Sequence, residues 1–347
     1  MNLADRFRRL VLRITRWQYW PWPVLYLPIL LQYFWHSLRF YGFGFPTLIN
    51  RPFMQHGGIL EESKLAMYQK TPRGWSPRTL ALRSLKSEAE LSAFMQYHRL
   101  TFPVIVKPDR GMRGIGVQMH RNTDSLLDHL SRIDGANAHL IQPYMDYPNE
   151  IGVFMIKSDA GWQITSLMER KLPAVTGDGY STLEELVRRD DQLFLQLPKL
   201  HENTGINLAY KPVKGEEVIL GHIGNHRLGT RFINRHDWLS PELLMAMGRI
   251  CDLLKGFEYG RLDIRYRHWE QLLELRDFSV IEVNGANSEP AHIYDEGFDL
   301  IEAWQILLRH HRIIFHKARK AKRKGEKAPG LRESVELFRQ YLQTMRQ

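Results

Sequence analysis

The most informative stretch of this chain is FPVIVKPDRGMRGIGVQM, residues 102–119. It begins with an apolar segment typical of a strand, ends that segment at Lys107, and continues into a loop containing Gly111, Gly114 and Gly116. Glycines let backbone amides approach phosphate oxygens closely, and a lysine at the strand end supplies a fixed positive charge. A glycine-rich turn between two strands is also common in plain hairpins, so the rest of the chain must distinguish the two.

Around this stretch, apolar strands alternate with amphipathic helices from residue 77 onward. This alternation predicts an α/β (α+β) protein. The predicted strands cover residues 79–85, 102–108, 138–145, 150–158, 161–171, 217–223, 260–267 and 278–284. The predicted helices cover residues 88–98, 181–190, 241–257, 298–324 and 331–346.

The segment GRLDIRYR, residues 260–267, combines charge with strand alternation. A period of two places Arg261, Asp263 and Arg265 on one face of the strand and the apolar residues between them on the other. Charged side chains on one face of a strand, backed by apolar ones, indicate that this face lines a site.

A second strand, within SVIEVNGANSEP, repeats the pattern with Glu282 and Asn284 on one face and Ile281 and Val283 behind them. Oxygen donors such as these, together with Asp263, are the ligands that Mg²⁺ takes when it also binds substrate phosphates. Either strand alone could simply face solvent. The glycine loop, the lysine and both acidic strands together favour a nucleotide and metal site.

Composition limits the alternatives. The chain has 347 residues, a formal net charge of +10 and a single cysteine, Cys251. An intramolecular disulfide and a multi-cysteine metal site are therefore excluded, and helical spacing predicts that Cys251 is a core residue. The positive charge favours anionic partners, but there is no RNP or zinc-finger pattern, so we expect no nucleic acid partner.

With these motifs in place, residues 60 to 305 resemble the ATP-grasp superfamily, in particular its D-alanine-D-alanine ligase and cyanophycin synthetase branches. The resemblance implies an ATP-grasp fold, in which two α/β lobes grip ATP. It also implies ATP and Mg²⁺ as cofactors, with two ions bound and Mn²⁺ able to substitute. By the same resemblance, Lys107, with Gly111, Gly114 and Gly116, contacts the ATP phosphates, and Lys64 in EESKLAMYQKTP corresponds to an earlier phosphate lysine.

The segment LIQPYMDYPNEIGVFMI resembles the linker between the two lobes. The likeness implies that Glu150 holds the ribose and that main-chain groups read the adenine. Relatives often begin this linker with glutamate, whereas this chain has glutamine. The implied adenine contacts are Gln142, Pro143, Tyr144 and Met145.

Catalytic roles are also implied by resemblance. The segment MERKLPAVTGDGYSTLEELV resembles a cyanophycin synthetase stretch and would let Arg170 or Lys171 reach the γ-phosphate, and we expect Lys171 to do so. Arg261 corresponds to an arginine that stabilises a tetrahedral intermediate. The implied magnesium ligands are Asp263, Glu282 and Asn284.

The function implied by the resemblance is ATP-dependent ligation of a carboxylate to an amine through an acylphosphate. The expected substrates are small molecules, with an amino acid or a peptide among them. An ATP-grasp kinase acting on a hydroxyl, and a membrane-associated scaffold without catalysis, remain the alternatives. The oligomeric state stays open.

Residues 1–60 form a basic, aromatic N-terminal arm that departs from the family, which usually has a glycine-rich domain here. Its uncharged stretch, residues 17–38, is interrupted by three prolines. It could pack over the body or a dimer partner, contact an anionic membrane surface, or span a membrane. We expect a cytoplasmic protein. The alternative location is peripheral attachment at the inner face of the membrane. The other predicted domains are a first lobe (61–145), a second lobe (146–316) and a basic helical tail (317–347).

Two clusters of basic residues carry separate expectations. The segment GHIGNHRLGTRFIN departs from the usual substrate loop and suggests an anionic or carboxylate-bearing substrate. Three histidines of the last long helix favour a solvated charged face over a metal site. The clusters are His222, His226, Arg227 and Arg231, and His310, His311 and His316.

Overall fold

The computed structural model describes residues 3–40, 42–60, 62–82, 87–111, 115–133, 138–202, 205–221 and 229–344. Its helices are α1 (Leu3–Thr15), α2 (Trp22–Leu25), α3 (Leu27–Phe40), α4 (Lys64–Lys70), α5 (Glu88–Tyr97), α6 (Thr123–Arg132), α7 (Leu183–Arg189), α8 (Asp191–Glu202), α9 (Pro241–Leu253), α10 (Trp269–Leu273), α11 (Leu300–Arg323) and α12 (Leu331–Thr344). Its strands are β1 (Leu80–Leu82), β2 (Val104–Pro108), β3 (Gln118–His120), β4 (His139–Pro143), β5 (Asn149–Ser158), β6 (Gly161–Lys171), β7 (Ala174–Thr176), β8 (Glu217–Ile219), β9 (Arg231–Asn234), β10 (Tyr259–Tyr266) and β11 (Phe278–Asn284). The mixture of helices and antiparallel sheets confirms the predicted fold class.

A four-stranded antiparallel sheet with the order β1-β4-β2-β3 is built from the region around the glycine loop. Helices α5 and α6 cover it, and each begins at a polar N-cap, Ser87 and Asn122, whose side chain accepts a backbone hydrogen bond. Val104 and Val106 of β2 are completely buried in the core between sheet and helices. The Lys107 end of β2 is thereby held on a rigid strand.

The second sheet has five strands in the order β11-β10-β5-β6-β9, again antiparallel. Leu262 and Ile264 of β10 are completely buried, in a core shared with α9. This confirms the alternation predicted for that strand. In β11 a register shift places Val280 and Val283 in this core, whereas Ile281, which we predicted to pack there, is only half-buried.

A two-stranded sheet, β7-β8, lies next to α7 and α8. Helix α7 begins with a capping box in which Thr182 and Glu185 satisfy each other's backbone amides. Leu12 of α1 is buried in the same core, so the start of the chain packs onto this unit.

The N-terminal arm packs over the body, which was one of the interpretations that its sequence left open. The indole of Trp17 donates to the carbonyl of Phe298 at 2.8 Å, and Trp304 donates to that of Leu25 at 2.8 Å. Phe45 is completely buried in a core that α11 shares. No helix in the described part of the chain is both long and apolar enough to cross a bilayer.

Helix α11 corrects one expectation. It continues without a break across residues 316 and 317, the predicted boundary between the second lobe and the basic tail. His310 and His311 are buried, so the prediction of a solvated face was wrong for both. The reason is that α11 packs between α3 and the second sheet, and the ring of His310 lies 4.7 Å from that of Phe154. Cys251 is buried on α9, as predicted.

Candidate functional site

The charged face of the second sheet brings the predicted metal ligands together. In the pairing of β10 with β11, Asp263 lies opposite Glu282 and Arg261 lies opposite Asn284. Directly opposed residues of an antiparallel pair project to the same face with Cβ atoms about 5 Å apart. Two carboxylates and one amide oxygen therefore share one surface.

Asp263 is the centre of this face. Its carboxylate accepts hydrogen bonds from Arg261 Nε at 2.7 Å, from Arg170 Nη2 at 3.3 Å and from Asn284 Nδ2 at 3.3 Å. Burial by itself would raise the pKa of Asp263, but the adjacent Arg261 and Arg170 guanidinium groups lower it below the ordinary value. The side chain is consequently an anion at neutral pH.

A glycine makes room for this cluster. Gly152 of β5 lies opposite Asp263, and a Cβ atom there would lie 3.2 Å from Arg261 Cδ and 3.3 Å from Asp263 Oδ1. On the same side it would lie 2.9 Å from Met168 Cε. A side chain at residue 152 would therefore displace the charged pair.

Glu150 begins the same face on β5. Its carboxylate accepts hydrogen bonds from Arg170 and from Arg265, the latter at 3.1 Å. Burial would lower the pKa of Arg170, but Glu150 and Asp263 raise it well above its ordinary value. Both oxygens of Glu150 are thus paired with arginines, and the contact to ribose stays a prediction.

Arg170, rather than Lys171, points into this site. Lys171 lies on the opposite face of β6, where its Nζ is 3.7 Å from Glu169 and its side chain is 56% exposed. The structure therefore does not bring Lys171 together with Asp263. Strand alternation places Arg170 and Lys171 on opposite faces of β6, but only the pairing register of β6 decides which of the two faces the site.

Lys107 reaches the site from the first sheet. Its ammonium group is buried and donates a hydrogen bond to Tyr68 Oη at 2.7 Å, and Tyr68 in turn donates to the carbonyl of Ile281 on β11. Burial lowers the pKa of Lys107 to about 8, and Glu282 and Asp109 oppose that shift. Tyr68 of α4, which sequence reasoning missed, links the two sheets.

Lys64 and the glycine loop are also in contact. Lys64 Nζ donates to the carbonyl of Gly111 at 2.6 Å, and the backbone of Gly111 and Gly116 has positive φ angles of 147° and 72°. These conformations favour glycine, which agrees with a loop whose backbone turns sharply. Gly114 lies outside the described residues.

The predicted adenine linker lies beside Arg265. The carbonyl of Met145 accepts from Arg265 Nη1 at 3.3 Å, and the guanidinium carbon lies 5.7 Å from the centroid of the Tyr144 ring. Gln142 is buried on β4 and donates to Thr79. Pro143 is the last residue of β4, so all four predicted linker residues lie at the strand end next to Glu150.

The N-terminal arm reaches the same region from another side. Glu289, in the loop after β11, accepts hydrogen bonds from Tyr26 and Tyr294, and its carbonyl is 3.4 Å from Arg261 Nη1. Upstream in that loop, the amide of Ala286 donates to the carbonyl of Gly57 at 2.9 Å. Residues of the arm therefore hold the loop that follows Glu282 and Asn284, which the sequence did not reveal.

The predicted substrate loop lies mostly outside the described residues, namely His222, His226 and Arg227. Arg231 is described, on β9, and pairs with Asp190. In the part of the chain that the structure describes, no group of three or more His, Cys, Asp or Glu side chains is arranged to hold a metal ion. The candidate donors are instead two carboxylates and one amide, and all-oxygen donors of this kind fit Mg²⁺ bound with substrate phosphates.

Part of the chain is similar to known proteins. Residues 76–164 match the model of the RimK-like ATP-grasp domain. The chain is 24% identical to cyanophycin synthetase from Synechocystis sp. over 212 residues, which cover 55% of this chain and 24% of that protein. The chain thus spans about a quarter of the length of this curated relative.

Solved structures give similar matches. D-alanine-D-alanine ligase from Bacillus anthracis is 14% identical, with a TM-score of 0.44, over 76% of this chain and 69% of the ligase. A bifunctional glutathione synthetase from Pasteurella multocida is 18% identical, with a TM-score of 0.37, over 67% of this chain and 34% of the synthetase. Residues 76–164 of this chain are therefore similar to a RimK-like ATP-grasp domain.

Proposed function

We propose that this chain is an ATP-dependent ligase that joins a carboxylate to an amine. The observation that carries the proposal is the convergence of Asp263, Glu282 and Asn284 with Arg261 and Arg170 on one sheet face of a chain that is similar in part to a RimK-like ATP-grasp domain. These side chains combine metal ligation with fixed positive charge, which phosphoryl transfer followed by acyl transfer requires.

Magnesium would be held by Asp263, Glu282 and Asn284. Bound there, Mg²⁺ would neutralise charge on the triphosphate, and two ions, or Mn²⁺ in their place, suit the same donors. Lys107 and Lys64 supply further positive charge at the glycine loop. The linker main chain at residues 142–145 binds adenine, and Glu150 binds the ribose.

The reaction proceeds in two steps. An oxygen of the substrate carboxylate attacks the γ-phosphorus of ATP, the bond to the bridging oxygen breaks, and ADP leaves with the electron pair. The amine nitrogen then attacks the carbonyl carbon of the acylphosphate, and phosphate leaves as the amine loses a proton. Arg261 stabilises the oxyanion of the tetrahedral intermediate, and Arg170, which contacts Asp263, binds the transferred phosphoryl group.

The substrates we propose are small molecules, an amino acid or a short peptide among them. We place the protein and its reaction in the cytoplasm as part of this proposal. Support comes from the similarity of this chain to cyanophycin synthetase.

The test is ADP release from ATP and Mg²⁺ in the presence of a panel of amino acids and short peptides. Hydroxylamine in place of the amine should trap the acylphosphate as a hydroxamate. We expect Asp263→Asn to lower turnover by about a hundredfold or more. Glu282→Gln, at a half-buried position, should have a similar effect.

Asp159→Asn is the matched control, because the Asp159 side chain is 93% exposed on a turn away from this face. It should turn over as the unchanged chain does. ADP formed together with a stable phosphorylated product and no hydroxamate would reject ligation in favour of a kinase. Full turnover by Asp263→Asn would reject the metal assignment.

A further inference from the structure

The outward face of α3 is apolar, although the arm packs on the body through the opposite face. His36 and Phe40 point inward, where the His36 ring stacks on Phe315 with centroids 4.0 Å apart. Trp35 and Leu31 are 58% and 64% exposed. The exposed stripe, at helical spacing, consists of Leu27, Leu31, Phe34, Trp35 and Leu38.

Helix α1 has the same arrangement. Asp5 and Leu12 face the body, and the Asp5 carboxylate is paired with Arg188 at 2.8 Å. The opposite face exposes large apolar side chains at positions i, i+4, i+7 and i+11, and Arg6 and Arg13 are exposed along one edge of it. The exposed apolar side chains are Leu3, Phe7, Leu10 and Ile14.

The charge of the arm complements an anionic surface. Residues 1–60 contain seven arginines and one aspartate, which is a formal charge of +6 out of +10 for the whole chain. The basic end of α11 adds to it, because Lys322 Nζ lies against the C-terminus of α3 and donates to the carbonyl of Phe40 at 3.0 Å. An apolar face bordered by positive charge is the pattern of helices that lie in a membrane interface.

A second copy of the chain is a poorer occupant for this face, because it would bring two arms of like charge together. A spanning arrangement is excluded for α3 by length, since 14 residues of helix measure about 21 Å against roughly 30 Å of hydrocarbon. Tryptophan, present on the outward side at Trp22 and Trp35, is enriched at the boundary between headgroups and acyl chains.

We propose that the N-terminal arm binds the surface of an anionic phospholipid bilayer. The outward faces of α3 and α1 enter the boundary between headgroups and acyl chains, while Arg6 and Arg13 contact the headgroups. The buried faces of the same helices keep the ATP-grasp body attached at that surface. This binding does not depend on the reaction that the body performs.

The test is flotation of the full chain with vesicles of phosphatidylcholine containing about one third phosphatidylglycerol. We expect Leu31→Glu/Trp35→Glu to lower the bound fraction at least about tenfold, because both carboxylates would have to enter the apolar boundary. Tyr97→Glu/Met245→Glu is the matched control, because both side chains are exposed apolar groups on other helices, α5 and α9. It should float as the unchanged chain does.

Headgroup contact is tested separately. Arg6→Gln/Arg13→Gln should weaken partitioning by roughly fivefold per arginine, and vesicles of phosphatidylcholine alone should bind correspondingly less. ADP release measured without lipid should be the same for all of these variants, because none of the substituted residues lies in the proposed ligase site. Flotation reports only membrane binding, so failure of the ligase proposal would not affect the flotation result.

Two outcomes would overturn the proposal. One is equal flotation of the Leu31→Glu/Trp35→Glu and control variants. The other is absence of flotation by the unchanged chain. A dimer in light scattering that the same double variant converts to monomer would then assign the apolar face to a second copy.

Discussion

Replacing Lys107, the buried lysine that we propose contacts the ATP phosphates, by methionine (Lys107→Met) should make the protein more stable and less active. Burial lowers the pKa of Lys107 from 10.5 to about 8, so the folded state disfavours the charged form. The difference of about 2.5 pH units corresponds to roughly 3 kcal/mol at about 1.4 kcal/mol per unit. Loss of the hydrogen bond to Tyr68 costs about 1 kcal/mol, which leaves a net gain of about 2 kcal/mol at pH 7.

The dependence on pH identifies the cause. Below pH 8 both the folded and the unfolded chain carry the proton, and the full penalty on the unchanged protein is present. Between pH 8 and 10.5 only the unfolded chain binds the proton, so the stability of the unchanged protein rises with pH and the difference between the two proteins shrinks. Above 10.5 the charge penalty is gone.

The measurement is urea unfolding, followed by circular dichroism, of both proteins between pH 6.5 and 10.5. Lys255→Met, at an exposed position in the turn after α9, is the control and should change stability by less than about 0.5 kcal/mol at every pH. ADP release by Lys107→Met should fall more than about tenfold. A stability difference that stays constant with pH, or a destabilised methionine variant at pH 7, would refute this account of Lys107.

Three further predictions concern the surrounding contacts. Arg170→Gln leaves the buried carboxylates of Glu150 and Asp263 short of a partner and should lower the free energy of unfolding in urea by about 3 kcal/mol, whereas Lys171→Gln should lower it by less than about 0.5 kcal/mol. Equal losses would contradict the assignment of Arg170 to the site. Tyr26→Phe removes a hydrogen bond to Glu289 and should lower kcat for ADP release about threefold to tenfold with an unchanged KM for ATP; an unchanged kcat would show that the arm does not position this loop. Burial lowers the pKa of His310 from 6.5 to about 3, so only the unfolded chain gains that proton as the pH falls through this range, and stability declines by about 1.4 kcal/mol per pH unit. His310→Phe should make the decline in stability between pH 6 and 4.5, measured by urea unfolding, shallower by that amount; an unchanged slope would contradict this account of His310.

Much of the fold could be predicted because its signals are local. Strands β6 and β11 begin and end at the residues that alternation predicted, since each is long enough to show a period of two. The helices α5 and α9 were found from their apolar spacing. The buried histidines of α11 were not predicted, because histidine is polar and only the packing of α3 against α11 encloses them.

The candidate site was predicted in part. Asp263, Glu282 and Asn284 share a face because alternation within each strand and the pairing of β10 with β11 agree. The choice of Lys171 over Arg170 had no local basis, since adjacent residues of one strand compete for the same face and the register of β6 decides between them. Tyr68 gave no signal, because a tyrosine in a short helix is usually only a packing residue.

By itself, then, the sequence determined most of the strands, the helices α5, α7, α9, α11 and α12, the glycine loop after Lys107 and the two strands that carry the acidic side chains. These features follow from spacing along the chain, which local sterics and side-chain direction control. Only the tertiary structure decided that Arg170 pairs with Glu150 and Asp263, that Tyr68 joins the two sheets, and that the arm keeps an apolar face outward. Those contacts join residues far apart in sequence, and their geometry exists only once the sheets and helices have packed.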